Sequence, residues 1–227
     1  MIIRNVGHLN KGIYTYEVPK TLEFWETPSE IVTNTEYLSQ MTEPCESLEE
    51  GELIVKKLFA TLNHLNKYKK AAIGLAANQI GISKNVFVID VIKPLYFINP
   101  DVMEVSEEKI RMNEGCMSIQ KKKSLVTRNL KVLIKADNMP EPKWFGVDFD
   151  GGQLAEEAFE SFAIQHEMNH LHGILIADID EKPQPIKTDI KFGRNEYVKI
   201  CRNDEIIEIK FKKFEQYQKC GWKLKNN

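Results

Sequence analysis

Apolar residues recur near helical spacing between Ser47 and Lys67, and charged residues lie between them. The pattern predicts an amphipathic helix packed on a sheet. Its apolar positions are Leu48, Leu53, Ile54, Leu58, Leu62 and Leu65. A second run of helix formers extends from Gln153 to Leu171 and is followed by Gly173, a residue type that often ends helices. The sequence therefore predicts two substantial helices.

Short runs rich in β-branched residues predict buried strands, because they are too brief for typical helices. They cover residues 85–92, 130–136 and 143–149. We expect residues 174–179 to form a returning strand after the second helix. Residues 1–45 have turn signals at Thr27-Pro28 and Glu43-Pro44 without clear periodicity, so we interpret them as strand and loop.

The composition changes after Pro183 and Pro185. Two strand-like runs, Y-V-K-I-C-R and E-I-I-E-I-K-F, flank Asn203-Asp204 and predict a hairpin, and a short helix is expected within residues 212–224. We therefore divide the chain into a main domain, residues 1–185, and a small C-terminal extension, residues 193–227. The extension looks like small modules at the ends of phage-encoded proteins; an ordinary extension packed on the domain explains it equally well.

Composition narrows the classes of function. The chain has 227 residues, 42% of them hydrophobic, and a formal net charge of -2, which gives no general attraction to nucleic acid or acidic membranes. No segment resembles a signal peptide or approaches the roughly 18 apolar residues of a membrane span. We expect a cytoplasmic protein whose four scattered cysteines stay reduced and free to bind metal.

Residues 165–170 read Q-H-E-M-N-H, an H-E-x-x-H pattern inside the second predicted helix. Four residues turn a helix by about 400°, so His166 and His170 project from one face with Glu167 at its edge. Two imidazoles and a carboxylate can then converge on one metal ion. The pattern also occurs on surface helices that bind no metal.

Two further segments add candidate chemistry. A catalytic metal needs a third protein ligand, and Cys116 in E-G-C-M-S is the candidate. Residues 72–81 read A-I-G-L-A-A-N-Q-I-G, small residues that admit a ligand, followed by Gln79, whose amide could donate a hydrogen bond to an oxyanion. Taken alone, each segment also fits an ordinary role, a buried cysteine or a tightly packed turn.

The three segments, in this order and spacing, resemble peptide deformylase, whose motifs are a glycine-alanine run ending in glutamine, E-G-C-L-S and Q-H-E-x-D-H-L. The resemblance covers roughly Phe24 to Asp180. It implies an α+β fold of mixed or antiparallel sheets around a central metal-binding helix carrying H-E-x-x-H. It also implies a hydrolase that releases formate from the N-terminal formylmethionine of nascent polypeptides.

The resemblance also implies the roles of individual residues. Cys116, His166 and His170 would bind one divalent metal, Fe(II) by expectation, with nickel, cobalt or zinc as substitutes. Glu167 would be the general acid and base, and Gln79 with the Met117 backbone N–H would stabilise the oxyanion. The residues that would offer backbone to an extended peptide substrate are Ile73, Gly74 and Gly115.

The expected partners are N-formylmethionyl peptides and the ribosome exit region, with no membrane and no specific nucleic acid. We expect a monomer in the cytoplasm, or in the host cytoplasm if the protein is phage-encoded.

The chain departs from the family motifs at several positions. Ala72 stands where the first glycine is usual, Met117 replaces a leucine, and Gln120-Lys121 replace a common proline and glycine. Asn169 replaces an aspartate that in the family pairs with an arginine matching Arg128. At this position we expect a hydrogen bond to a neutral acceptor rather than an ion pair.

Two other functions remain open on sequence grounds. An H-E-x-x-H endopeptidase would take its third ligand from a downstream residue such as Glu181, and would leave E-G-C-M-S and Gln79 without roles. An inactive relative would only bind ribosomes or peptide N-termini.

Overall fold

The computed structural model of the protein describes residues 7–10, 13–16, 21–68, 72–120, 122–148, 156–181, 195–202, 205–218 and 222–225. The chain forms two compact units, residues 1–182 and 183–227. The assignment of a catalytic role to residues 1–185, with residues 193–227 as an extension, stays a prediction.

Within the described residues, the first unit contains two short and two long helices. They are α1 (Leu22–Glu26), α2 (Thr35–Leu38), α3 (Leu48–Lys67) and α4 (Glu156–Leu171). A single 3₁₀ turn covers Ala77–Ile80.

The strands of this unit are short and pair antiparallel in several small sheets. They are β1 (Gly7–Asn10), β2 (Ile13–Tyr16), β3 (Gly74–Ala76), β4 (Val86–Asp90), β5 (Pro94–Ile98), β6 (Asp101–Val105), β7 (Lys109–Gly115), β8 (Lys123–Asn129), β9 (Lys131–Lys135) and β10 (Lys143–Gly146). The sheet orders are β1-β2, β3-β4-β5, β10-β9-β6 and β7-β8. The three predicted strand segments coincide with β4, β9 and β10.

Helix α3 forms where the apolar pattern predicts it. Ser47 caps its N-terminus by accepting a hydrogen bond from the Glu50 N–H at 3.2 Å. Ile54, Leu58 and Leu62 are buried in a cluster with residues of β3 and β4, whereas Leu48 in the first turn is exposed. The buried stripe therefore fixes the helix against the sheet that also carries the small-residue segment.

Helix α4 packs against β3, β4, β8, β9 and β10, so the α+β prediction with a central helix is confirmed. Its C-terminus has a Schellman arrangement, in which the Gly173 N–H donates to the His170 carbonyl at 3.2 Å and the Ile174 N–H donates to the Asn169 carbonyl at 2.8 Å. Gly173 has a φ of 69°, which favours glycine. The predicted cap is thus confirmed.

One prediction of local structure is wrong and another is incomplete. Residues 174–179 form turns instead of a strand, because the Asp178 N–H donates to the Leu175 carbonyl at 2.9 Å and the Asp178 carboxylate accepts from the Leu175 N–H. Residues 1–45 include α1 and α2, which Thr21 and Asn34 cap with their side chains. These helices are too short to produce a helical periodicity in the sequence.

The second unit contains β11 (Tyr197–Arg202), β12 (Glu205–Lys210), α5 (Phe214–Gln218) and β13 (Lys223–Leu224). Strand β11 lies between β12 and β13, and all pairings are antiparallel. The hairpin and the short helix are confirmed, although the turn residues Asn203-Asp204 lie outside the described residues. The buried residues of this unit's hydrophobic core are Val198, Ile200, Ile209, Phe214 and Trp222.

Among the helices in the described ranges, none has both the length and the apolar character needed to cross a bilayer.

Candidate metal centre and active site

The three predicted metal ligands lie together. One ligand atom from each of Cys116, His166 and His170 falls within 4.8 Å of the others. The Cys116 Sγ is 3.2 Å from the His170 Nε2. Helix α4 presents the two histidines one turn apart, and Cys116 directly follows the end of β7. This group could hold a metal ion, and its thiolate and imidazole donors suit Fe, Co, Ni or Zn.

A buried ion pair orients His166. Arg128 donates from Nε to the Glu114 Oε1 and from Nη2 to the Oε2, both at 2.7 Å, and the same Oε2 lies 3.0 Å from the His166 Nδ1. Glu114 thus holds the imidazole by its Nδ1, which leaves Nε2 as the nitrogen for a metal ion. Such outer-shell support is typical of metal sites.

The hydrogen bonds between Glu114, Arg128 and His166 shift the pKa values of Glu114 and His166. Burial alone would raise the pKa of Glu114, but hydrogen bonds from Arg128 and His166 lower it to about 2. Burial disfavours a charged His166 ring, yet the hydrogen bonds to Cys116 and Glu114 raise its pKa to about 10. The surroundings of the ring therefore favour positive charge at this position.

Asn169 occupies the position of the family's aspartate. With its amide oxygen facing Arg128, it accepts a hydrogen bond from the Arg128 Nη1 at 2.9 Å, and its nitrogen donates to the Gln165 carbonyl at 3.2 Å. This agrees with the expected neutral acceptor. The carboxylate that pairs with Arg128 is Glu114, for which the sequence argument had no role.

Glu167 is 4% exposed and lies beside the ligand group on α4. Burial raises the pKa of its carboxyl to about 7, with His166 opposing the shift. Its Oε2 has no hydrogen-bond partner among the described residues. A buried carboxylate oxygen without a partner is costly unless it serves a ligand. The metal-binding interpretation and a proton-transfer role both fit this observation.

Gly74 makes room for that carboxylate. A Cβ built at Gly74 would lie 2.5 Å from the Glu167 Oε1, closer than real Cβ contacts allow. A side chain at position 74 would therefore force the Glu167 carboxylate to move.

We expect Gly74→Ala to reduce turnover at least about tenfold, because the new methyl group displaces the Glu167 carboxylate by contact. Overpacking of this kind costs about 1 to 3 kcal/mol of unfolding free energy. Denaturant melts and steady-state rates would measure both effects. The matched control for stability is Gly115→Ala, since a Cβ there has no heavy atom within 4 Å. Equal stability and rate for Gly74→Ala and the parent would contradict the contact.

Gln79 has a fixed orientation. Its Oε1 accepts a hydrogen bond from the Ala76 N–H at 2.9 Å, so its amide nitrogen faces the opposite way, toward Ser118 at 3.2 Å and the Cys116 Sγ at 3.5 Å. The neighbouring Asn78 donates to the His170 carbonyl at 2.7 Å and ties the same turn to α4. The sequence missed the contribution of Ser118, which gives the amide a second contact.

A cleft of about 620 Å³ opens over this group. All predicted site residues except His170 line it, namely Ile73, Gly74, Gln79, Gly115, Cys116, Met117, His166 and Glu167. His170 is buried beside Cys116. The residues are thus brought together, while their individual roles stay predictions.

The cleft also has an apolar wall that the sequence argument missed. Phe159, Phe162 and Ala163 line it from α4. They stand seven, four and three residues before His166, so helical periodicity could have placed them on the same face as the ligand.

Glu181, the downstream ligand of the endopeptidase alternative, is not part of the group of possible metal ligands. The Glu181 carboxylate pairs with Arg111 at 2.8 Å and does not line the cleft. The thiolate of Cys116 instead completes the group of three.

Comparisons with known proteins point to one family. The model of the family described as polypeptide deformylase matches residues 28–185. The peptide deformylase of Pseudothermotoga lettingae is 36% identical over 129 residues, which cover 56% of this chain and 66% of that protein. That of Phenylobacterium zucineum is 33% identical over 150 residues, covering 62% and 80%.

Solved structures show the same likeness. The peptide deformylase of Thermotoga maritima superposes with a TM-score of 0.54 at 26% identity, covering 67% of this chain and 97% of that one. The Plasmodium falciparum enzyme gives 0.55 at 25% identity, covering 67% and 86%. With the family model spanning most of the chain, this protein belongs to the polypeptide deformylase family, whose members are metal-dependent enzymes that deacylate nascent peptides.

Proposed function

We propose that this protein removes the N-formyl group from the N-terminal methionine of nascent polypeptides and releases formate. The observation that carries the proposal is the cluster of Cys116, His166 and His170 donor atoms within 4.8 Å, beside the unpartnered Glu167 carboxylate oxygen. Three ligands and one buried acid or base are the parts that metal-assisted amide hydrolysis requires.

Glu167 would move the proton. Cys116, His166 and His170 would hold a divalent ion, which would supply the Lewis acidity that makes water a nucleophile near neutral pH. As water attacks the formyl carbon, the Glu167 carboxylate accepts its proton and then transfers it to the leaving amine when the C–N bond breaks. A carboxyl with a pKa near 7 is suited to both transfers.

Gln79 and the Met117 backbone N–H would stabilise the negative charge on the former formyl oxygen. The Ala76 N–H holds the Gln79 amide so that its nitrogen points toward Cys116. Donors that are fixed in advance lower the barrier because no reorganisation is needed.

The peptide would bind as an added strand. Strand β3 is an edge of its sheet, and among the described strands β7 pairs with β8 alone. Ile73 directly precedes β3, Gly74 begins it, Gly115 ends β7, and all three line the cleft. A formyl-methionyl peptide between these edges would find backbone partners, with Phe159 and Phe162 offering apolar surface to the methionine side chain.

The proposed native metal is Fe(II), with nickel, cobalt or zinc as substitutes. One thiolate and two imidazoles accept any of these ions, so availability and oxidation state decide which is bound. Metal analysis of protein purified without oxygen would identify it.

We further propose that the protein works as a cytoplasmic monomer near the ribosome exit region, in a host cell if it is phage-encoded. The formylated N-terminus is accessible there as each chain emerges. Sedimentation and ribosome co-pelleting would test these two points.

We expect formyl-Met-Ala-Ser to be deformylated and acetyl-Met-Ala-Ser to react at least about a hundredfold more slowly, a difference of about 2.7 kcal/mol in activation free energy. The formyl carbon carries only a hydrogen, whereas an acetyl methyl would meet the crowded group of Cys116, Gln79 and His166. Formate release and amine formation, measured as kcat/KM for each peptide, give the comparison.

Adding an unblocked peptide and a peptide-binding assay to this experiment separates the alternatives. Cleavage of an internal bond in an unblocked peptide would indicate an endopeptidase. No hydrolysis of any substrate by metal-loaded protein, together with retained peptide binding, would indicate an inactive relative. Equal rates for the two acyl groups would contradict a site shaped for formyl.

A further inference from the structure

The mouth of the cleft carries positive charge that the proposed reaction does not use. Lys122 and Lys123 are exposed and line the same cleft as Cys116 and Glu167. Lys122 has a partner, since its Nζ lies 3.6 Å from the Asp180 carboxylate. For Lys123, no carboxylate in the described part of the chain lies within ion-pair distance.

The acidic groups nearby do not neutralise the positive charge of Lys123. Glu114 is committed to Arg128, and Asp180 also accepts a hydrogen bond from the Leu125 N–H at 2.9 Å. Glu181 pairs with Arg111 at 2.8 Å. The acidic residues in the first turn of α4 are Glu156 and Glu157, and neither lines the cleft. An incoming ligand therefore meets one uncompensated cation at this rim.

The register of β7 and β8 places that cation beside the proposed peptide path. Lys123 is directly opposite Gly115, so both point to the same face of the β7-β8 pair. A Cβ built at Gly115 has no heavy atom within 4 Å, and the space above this residue is open. Because Gly115 has no side chain, this position does not separate the Lys123 side chain from a peptide that runs along the far edge of β7.

The distances permit a direct contact. A strand added to β7 would lie about 9 to 10 Å from β8, which is two inter-strand spacings. A lysine has a flexible four-carbon stem, and an acidic side chain on the peptide extends toward it from the other side. The two charged ends can meet across Gly115 in solvent.

We propose that Lys123 is a specificity-determining residue that favours formylmethionyl peptides with an acidic side chain at their second or third position. The inference rests on the proposed deformylase function. Lys123 does not touch the reacting atoms, so its effect is on the choice of peptide and not on the chemical step. An exposed ion pair of this kind typically changes affinity about two- to fivefold, and salt weakens it.

The test compares peptides that differ only in charge. Formyl-Met-Glu-Ser-amide is paired with formyl-Met-Gln-Ser-amide, and formyl-Met-Ala-Glu-amide with formyl-Met-Ala-Gln-amide. The C-terminal amide removes the other carboxylate, so a preference reports the side chain alone. We expect kcat/KM to be about two- to fivefold higher for the Glu member of at least one pair at low salt, and the ratio to approach one near 1 M salt.

The variants assign the effect to one residue. In Lys123→Gln, the kcat/KM for the Glu peptide divided by that for the Gln peptide should fall to about one. In Lys123→Glu, this ratio should fall below one. The matched control is Lys135→Glu, an exposed lysine of β9 that does not line the cleft but undergoes the same change of charge. The parent's ratio should persist in that control.

Each outcome bears on a different claim. Deformylation of all peptides by the parent at equal rates, or a ratio unchanged in Lys123→Glu, would overturn the role of Lys123 and leave the deformylase function standing. A ratio lost equally in Lys135→Glu would show a general charge effect and also overturn it. Failure of the parent to deformylate any peptide would overturn the proposed function and this inference with it.

Discussion

Glu167→Gln is expected to keep its metal and lose about 10² to 10⁴ in kcat, the contribution typical of a general acid or base. The amide preserves the shape of the side chain against Gly74, so the packing of β3 on α4 should survive. What disappears is the ability to accept a proton from water and return it to the amine. The loss should therefore appear in the chemical step and not in metal binding.

The measurement needs metal content and turnover from the same preparation. Glu157→Gln is the matched control, because Glu157 lies on the same helix, is exposed and does not line the cleft. It should behave like the parent in both assays. Loss of metal in Glu167→Gln would make Glu167 a structural residue, and a fall in kcat of less than about tenfold would remove it from the mechanism.

The elements that the sequence predicts correctly are those whose pattern is local and repeated. The apolar spacing of residues 47–67 predicted α3, and the H-E-x-x-H pattern put two histidines on one face of α4, because both depend only on the geometry of a helix. The returning strand after Gly173 failed for the opposite reason. The side chain of Asp178 closes a turn that competes with extended backbone, and the apolar run alone does not reveal it.

The residues that orient the metal ligands could for the most part not be predicted from the sequence. Glu114 is separated from His166 by 52 positions, and its contact with that ring depends on how the β7-β8 pair packs on α4. The resemblance directed attention to position 169 as the partner of Arg128, whereas the carboxylate partner is Glu114. Only the tertiary arrangement shows which acid a buried arginine meets. The apolar wall of Phe159 and Phe162, by contrast, could have been predicted from helical spacing.

The second large effect is expected for Cys116→Ser, which should weaken metal binding more than about a hundredfold. Loss of a direct ligand should exceed the 10- to 100-fold typical when an outer-shell partner is removed. A serine hydroxyl remains protonated at neutral pH and is a poor donor to Fe(II), Co, Ni or Zn, whereas a thiolate binds them well. His166 and His170 alone would leave the ion with two protein ligands.

Competition with a chelator measures the affinity, and metal content after dialysis gives an independent reading. Cys201→Ser is the matched control, because it makes the same change in β11 of the other compact unit. It should retain the parent's affinity. An endopeptidase with Glu181 as third ligand predicts little change in Cys116→Ser. Metal content equal to that of the parent would therefore favour that alternative and would require the Glu181 carboxylate to leave Arg111.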